Sequence, residues 1–133
     1  MAVNLTPKNR FSDLDLSFAR NPISHDINIL TDEASVKRSL RNLILSNTYD
    51  RPFQPELNGN VTAHLFEPMT ELTEIRIEKG IRDAISSYEK RVIVQDVVVR
   101  GDKDLNSFDI TIQFQIRNSQ QVSEVQFYLE RLR

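Results

Sequence analysis

Residues 107–117 read SFDITIQFQIR. Polar side chains alternate in this stretch with five apolar ones: Phe108, Ile110, Ile112, Phe114 and Ile116. Successive side chains of a β-strand point to opposite faces, so this period of two predicts a strand that is buried on one face and solvated on the other. The rest of the chain must supply its neighbouring strands and a layer that covers the apolar face.

Two further strands are predicted around this one. Residues 92–100 are rich in β-branched side chains, and a turn at 101–104 separates them from the alternating stretch. After a polar turn at 118–121, Val125, Phe127 and Leu129 alternate with Gln126, Tyr128 and Glu130. This tail predicts a last strand, with a helix as the alternative. Three antiparallel strands with helical cover meet the minimum for independent stability.

Two main helices are predicted before the strands. The first begins at Thr31-Asp32 and carries an apolar stripe of Val36, Leu40, Leu43 and Ile44. The second runs from about Thr70 to Glu89, with a stripe of Ile77, Ile81, Ala84, Ile85 and Tyr88. Leu72 and Ile75 fall on the far side of the second helix. Either a loop or another protein must cover them, and we expect the loop that precedes this helix to do so.

The predicted fold class is α+β: two main helices packed on one face of an antiparallel sheet of three or more strands, with an extended N-terminal arm. The arm covers residues 1–30, the helical part residues 31–91 and the strands residues 92–133. Within the arm, Leu14, Leu16 and Phe18 alternate with polar side chains, and Asn21-Pro22 marks a turn. A chain of 133 residues fits one domain, so we expect a single domain over residues 1–133.

Composition argues against several classes of function. The net charge of −2 and a pI of about 5.7 give no basic excess for non-specific nucleic-acid binding. The sequence has no cysteine and only three glycines, so it offers neither disulfides nor a glycine-rich phosphate loop. We expect neither a signal peptide nor a membrane span, because residues 1–10 have no apolar core and no apolar run approaches about 20 residues.

No catalytic or metal site is predicted. The two histidines, His25 and His64, stand far apart in loop-like stretches without a metal-binding motif. Glu74 and Glu78 are spaced as an ordinary solvated helix face. Among the remaining carboxylates, Glu67 is the first to test for glycoside hydrolysis, which requires a pair of them.

Two short segments allow both a structural and a functional interpretation. Residues 51–56 read RPFQPE, and the two prolines make a stiff loop in which Phe53 either fills the core or protrudes together with Arg51 towards a partner. Glu89-Lys90-Arg91 stands where the second helix gives way to the strands. These charges either complement the end of the helix or form an ionic clamp with a partner.

Several segments resemble those of a known family, in the same order. Residues 12–18 (SDLDLSF) are similar to its N-terminal arm, residues 39–45 (SLRNLIL) to its first helix and residues 51–57 (RPFQPEL) to its central loop. Residues 88–91 (YEKR) stand where the family has Tyr-Glu-Pro-Arg, with Lys90 in place of the proline, and residues 127–131 (FYLER) match its closing strand. The family is the small "lysozyme-like" baseplate wedge protein of contractile phage tails, shared with type VI secretion baseplates.

The resemblance implies a structural subunit that binds the helical core bundle of the wedge and templates the first ring of sheath subunits by strand pairing. It implies that Glu89 and Arg91 dock the core bundle, with Lys90, Arg51 and Phe53 as further partner-binding residues. Strands of the C-terminal hairpin would face the sheath, through Phe108, Ile110, Ile112, Phe127 and Leu129. We expect the 107–117 strand to offer a free edge for the strand pairing.

The same resemblance implies the setting. The partners would be other wedge proteins and the tail sheath protein, in a hetero-oligomer without nucleic acid, membrane, metal or cofactor. The location would be the tail baseplate of a virion, assembled in the host cytoplasm. The alternatives are a peptidoglycan-cleaving tail lysozyme that uses Glu67, and the equivalent subunit of a type VI secretion system or tailocin.

Overall fold

The computed structural model describes residues 11–50, 52–56, 59–117, 119 and 121–131. Its contacts group the chain into two compact units, Met1–Arg38 and Ser39–Arg133. Five strands and three helices are present in the described residues: β1 Ser12–Leu14, β2 Ile29–Thr31, α1 Asp32–Leu45, α2 Val61–His64, α3 Glu71–Tyr88, β3 Val92–Asp102, β4 Ser107–Ile116 and β5 Val122–Glu130. The predicted α+β class, with helices and an antiparallel sheet of three strands, is confirmed.

The larger sheet has the strand order β3-β4-β5, with every neighbouring pair antiparallel. Ile112 of β4 lies opposite Val97 of β3 and Val125 of β5. The predicted alternation is confirmed, because four apolar side chains of β4 are completely buried: Phe108, Ile110, Ile112 and Phe114. The tail is a strand, β5, and not a helix.

The prediction that the 107–117 strand offers a free edge is wrong. This strand is β4, and it is hydrogen-bonded to β3 on one side and to β5 on the other. Period-two alternation tells which side chains of a strand are buried, but it carries no information on whether the backbone has one neighbour or two. The edges of the sheet therefore belong to β3 and β5.

Helix α3 covers the sheet mainly at β3. It begins after Thr70, whose side-chain oxygen accepts a hydrogen bond from the backbone N–H of Thr73 and so caps the first turn. The predicted stripe is buried at Ile77, Ile81, Ala84 and Ile85, whereas Tyr88 is partly exposed.

The far side of α3 is not covered as predicted. Leu72 and Ile75 are 57% and 59% exposed, so the expectation that the preceding loop hides them is wrong for the part of the chain that the structure describes. The short helix α2 ends at His64, and a turn follows it in which the N–H of Glu67 donates to the carbonyl O of His64 at 3.1 Å.

The second half of α1 lies in the larger unit and ends at Leu45, well before the two prolines. Leu40, Leu43 and Ile44 are buried there as predicted. Gly59 lies against this end of the helix, and an added Cβ would stand 2.6 Å from both the Cα and the carbonyl O of Ile44. Only glycine fits so close an approach of two backbones.

In the smaller unit, the predicted extended arm is a two-stranded antiparallel hairpin of β1 and β2. Its polar side chains bond to α1: Ser35 Oγ donates to Asp13 Oδ2 at 2.5 Å, and Arg38 Nη2 lies 2.9 Å from Asp15 Oδ1. Leu14 and Ile29 lie opposite each other and are both exposed. The arm thus uses its carboxylates to hold the first half of its own helix.

Candidate functional site: the corner between α3 and β3

The corner where α3 turns into β3 consists of Glu89, Lys90 and Arg91. The backbone N–H of Glu89 makes the last helical hydrogen bond, to the carbonyl O of Ile85 at 2.9 Å. Glu89 then leaves the helical conformation, with φ −112° and ψ 81°, and β3 starts at Val92. The helix therefore ends without the proline that the family pattern has at position 90.

The carboxylate of Glu89 is buried and fully engaged, with the residue only 6% exposed. Its Oε1 accepts from the Nε of Arg91 at 2.7 Å and from the backbone N–H of Arg91 at 3.3 Å. Its Oε2 accepts from Nη2 of Arg91 at 2.7 Å and from Oγ of Ser39 on α1 at 2.5 Å. Two parallel bonds to one guanidinium form the bidentate arrangement that orients an arginine most firmly.

These contacts determine the charge state of the carboxyl group. Burial alone would raise the pKa of Glu89, but the hydrogen bonds from Arg91 and Ser39 and the charge of Arg91 outweigh it and lower that pKa below its ordinary value. Glu89 is therefore ionised at neutral pH. It acts within the chain as the anion that fixes Arg91.

Lys90 has the opposite environment, because its side chain is exposed. Its carbonyl O accepts from Nε of Arg117 at 2.7 Å, and the backbone N–H of Arg117 donates to the carbonyl O of Arg91 at 2.8 Å. The end of β4 therefore clamps the corner from the other side. Lys90 projects from a backbone that is held at both neighbouring positions.

A cavity of about 280 Å³ opens beside the corner. Its lining includes the cations Arg82, Lys90 and Arg117, together with Ile93 and the paired carboxylate of Glu89. Arg82 also lies 3.1 Å from Glu78 Oε1 and 3.7 Å from Asp96 Oδ1. The open side of this cavity is suited to an anionic side chain of a partner.

The other residues predicted to bind partners lie in different environments. Arg51 lies outside the described residues. Phe53 is 98% exposed, so the interpretation in which it fills the core is wrong. Phe108, Ile110 and Ile112 lie completely buried in the central strand, and Phe127 is 5% exposed. Leu129 is partly exposed, and the well-exposed large hydrophobic side chains of β5 are Val122 and Tyr128.

Ser39 is the member of the corner that sequence reasoning missed. It follows Val36 by three residues and precedes Leu43 by four, so it falls on the apolar stripe of α1. A small hydroxyl on a buried stripe indicates a buried acceptor, since buried polar groups are hydrogen-bonded. That signal was present in the sequence.

Glu67 and Glu74 both make contacts within the chain. Glu67 Oε1 lies 3.1 Å from Nδ1 of His64, although the two atoms are not aligned as a hydrogen bond. Its Oε2 lies 3.8 Å from Nη1 of Arg76. Glu74 accepts from the backbone N–H of Gly101 at 2.8 Å, so the prediction of a merely solvated Glu74 is wrong. Among the described residues, no three His, Cys, Asp or Glu side chains converge as metal ligands.

The described helices include none with the length and apolar character needed to span a bilayer.

Comparisons with known proteins agree with this architecture. A sequence profile of the family described as "Baseplate wedge protein gp25" matches residues 30–121, which is more than half of the chain. The baseplate wedge protein gp25 of Enterobacteria phage T4 is 40% identical over 58 residues, a segment that spans 44% of this chain and 44% of that relative.

Two solved structures share the fold. One is a crystal structure provisionally described as a tail lysozyme from Geobacter sulfurreducens, with a TM-score of 0.69 and 16% identity, which covers 77% of this chain and 95% of that one. The other is a cryo-EM structure of the anti-feeding prophage baseplate, with a TM-score of 0.63 and 17% identity, covering 90% and 85%. The family match, which spans all three described helices together with β3 and β4, shows that this chain belongs to the gp25 baseplate wedge family.

Proposed function

We propose that this baseplate subunit binds the wedge core bundle through its α3–β3 corner and templates the first ring of tail sheath subunits by accepting a strand at β5. The role is non-enzymatic, and assembly takes place in the host cytoplasm before the particle is complete. The observation that carries the proposal is the outer edge of β5, which is paired with no other strand in the described part of the chain.

The outer edge of β5 presents backbone N–H and C=O groups that can pair with another strand. The N–H of Arg131 donates to the carbonyl O of Asn106 at 3.1 Å, in the same register that pairs β5 with β4. Hydrogen-bonded and non-hydrogen-bonded pairs alternate in an antiparallel ladder. The odd-numbered residues of β5 therefore direct their N–H and C=O groups to β4, and the even-numbered residues from Val122 to Glu130 direct theirs outwards. These five residues form the open edge.

The other edge of the sheet, on β3, is less suited to strand addition. The register of β3 shifts between Val94 and Asp96, and such bulges disrupt an edge. The N–H of Val97 bonds to Asp96 Oδ1 at 2.9 Å, and the N–H of Gly101 bonds to Glu74 Oε1 at 2.8 Å. Two outward donors of β3 are therefore already occupied by the chain's own carboxylates.

A proline substitution tests strand addition. Glu124 directs its N–H outwards, so Glu124→Pro removes one donor of the open edge without removing a bond to β4. The matched control is Glu124→Ala, which removes the same exposed side chain and keeps the N–H. We expect Glu124→Pro to abolish binding of the purified sheath subunit of the same tail, measured by light scattering after size exclusion, while Glu124→Ala binds it. Equal binding by both variants, each folded by circular dichroism, contradicts strand addition at β5.

At the corner, the roles of the three residues differ. Ser39 bonds to Glu89 and Glu89 holds Arg91, while exposed Lys90 and the cations of the 280 Å³ cavity meet acidic side chains of the core bundle. Exposed Phe53 adds an aromatic anchor, with Arg51 beside it in sequence. The ionic docking is thus proposed through Lys90 and Arg91, with Glu89 acting on Arg91.

Charge reversal tests the corner. We expect Lys90→Glu to lose the core-bundle subunits of the same tail on co-expression and size exclusion, because like charges then face each other. Lys79→Glu makes the same change at an exposed position in the middle of α3 and serves as the control. Retention of the subunits by Lys90→Glu contradicts docking through the corner.

A further inference from the structure

A groove of about 520 Å³ lies beyond the end of β5. It is formed by the segment between α2 and α3, the turn between β3 and β4, and Arg131, which follows β5 directly. Arg131 extends the pairing of β5 by one hydrogen bond to Asn106, another residue of the groove. Neighbouring strands lie about 4.8 Å apart, so a strand added along β5 begins or ends beside this groove.

The groove carries an excess of positive charge. Its carboxylate, Glu67, already has His64 and Arg76 as neighbours at 3.1 and 3.8 Å. Lys103 and Arg131 line the same groove, and no carboxylate of the described residues lies within ion-pairing distance of either. Two cations therefore face the opening without an anion of their own in the described part of the chain.

Arg131 is held in position by an aromatic ring. Its guanidinium carbon stands 5.2 Å from the centroid of Phe66, whose side chain is 68% exposed. A guanidinium over an aromatic face keeps its N–H groups in its own plane, where they remain able to bind a carboxylate. Because the ring already restricts Arg131, less side-chain freedom is lost when a ligand binds.

We propose that this groove captures an acidic side chain at the end of the sheath strand that adds to β5. The strand pairing supplies affinity that is independent of sequence, and the groove sets the register, because a carboxylate must reach Arg131 and Lys103. The proposal rests on the strand addition proposed above. It names the chemistry of the partner segment: an extended segment with Asp or Glu at the end next to Arg131.

Two measurements on the complex with the purified sheath subunit test the groove. Lys103→Gln/Arg131→Gln removes both cations, and Arg41→Gln/Lys79→Gln removes two exposed charges elsewhere in the chain as the matched control. We expect the groove variant to bind at least tenfold more weakly, which corresponds to about 1.4 kcal/mol, and the control to bind within twofold of the wild type. Treatment with a zero-length carbodiimide, which joins amines to carboxylates in contact, is expected to link Lys103 of the wild type to an Asp or Glu of the sheath subunit.

The outcomes separate the two proposals. If Glu124→Pro abolishes binding but the groove variant binds like the wild type, or if peptide mapping finds no crosslink at Lys103, the groove proposal is wrong and strand addition stands. If the wild type does not bind the sheath subunit, or if Glu124→Pro binds it normally, strand addition fails and the groove proposal fails with it. The expected weakening together with the Lys103 crosslink supports both.

Discussion

The carboxylate of Glu89 either stabilises the corner within the chain or is available to bind a partner, and replacing Glu89 distinguishes these two roles. In the structure, all four hydrogen bonds to this side chain come from Arg91 and Ser39 of the same chain. Glu89→Ala therefore removes the anion from the bidentate pair with Arg91. We expect a loss of stability in the isolated subunit, before any partner is added.

The size of the loss follows from burial. Removing one partner of a buried ion pair costs about 3–5 kcal/mol. The side chain of Arg91 is 24% exposed, so water can solvate part of the remaining charge. We therefore expect the free energy of unfolding to fall by about 2–3 kcal/mol, somewhat below the fully buried case. For a domain of this size, that corresponds to a midpoint lower by about 10 °C.

Urea and thermal unfolding of the isolated subunit provide the measurement. Ser39→Ala, which removes one of the four bonds, should lose only about 1 kcal/mol. Lys90→Ala, at the exposed neighbour, should stay within about 0.5 kcal/mol of the wild type. If Glu89→Ala unfolds within 0.5 kcal/mol of the wild type, about the limit for a surface change, the carboxylate does not hold the corner and is available to a partner.

Three further results are expected. Because the pKa of Glu89 is lowered in the folded protein, its ionised form contributes fully to stability above about pH 4.5, and this contribution is lost as the pH falls through the pKa of the folded state. The difference in stability between the wild type and Glu89→Gln should therefore shrink on acidification. A difference that grows would contradict the pairing. In the same denaturation experiments, Gly59→Ala should destabilise the subunit by about 1–3 kcal/mol, because the added Cβ meets the backbone of Ile44. Gly80→Ala should stabilise it by about 0.5–1 kcal/mol, because Gly80 lies inside α3 with open space around it. Glu67→Gln should leave peptidoglycan clearing at the background of the wild type, and a clearing activity that this change abolishes would establish an enzyme.

The sequence was informative wherever a periodic pattern coincides with burial. The stripe at Ile77, Ile81 and Ile85 predicted the buried face of α3, because a period near 3.6 places these side chains on one face. The alternation from Phe108 to Phe114 predicted the buried face of β4 in the same way. Both patterns are local, so no knowledge of the partners in the fold was needed.

What the sequence did not contain was the order of neighbours. Nothing in residues 107–117 tells that both edges of this strand are paired, and the free edge was therefore assigned to the wrong strand. The contacts of Glu89 with Ser39 and of Glu74 with Gly101 join residues that are 50 and 27 positions apart. Such contacts depend on tertiary packing, and residue spacing along one element cannot indicate them.

Hydrogen–deuterium exchange of β5 with and without the purified sheath subunit is the most direct measurement of the proposed templating role. If a sheath strand adds to β5, the amides of Glu124, Gln126, Tyr128 and Glu130 exchange rapidly in the free subunit and become protected in the complex, while the odd-numbered amides, already bonded to β4, change little. A stable complex in which the even-numbered amides of β5 exchange as rapidly as before would contradict strand addition at this edge.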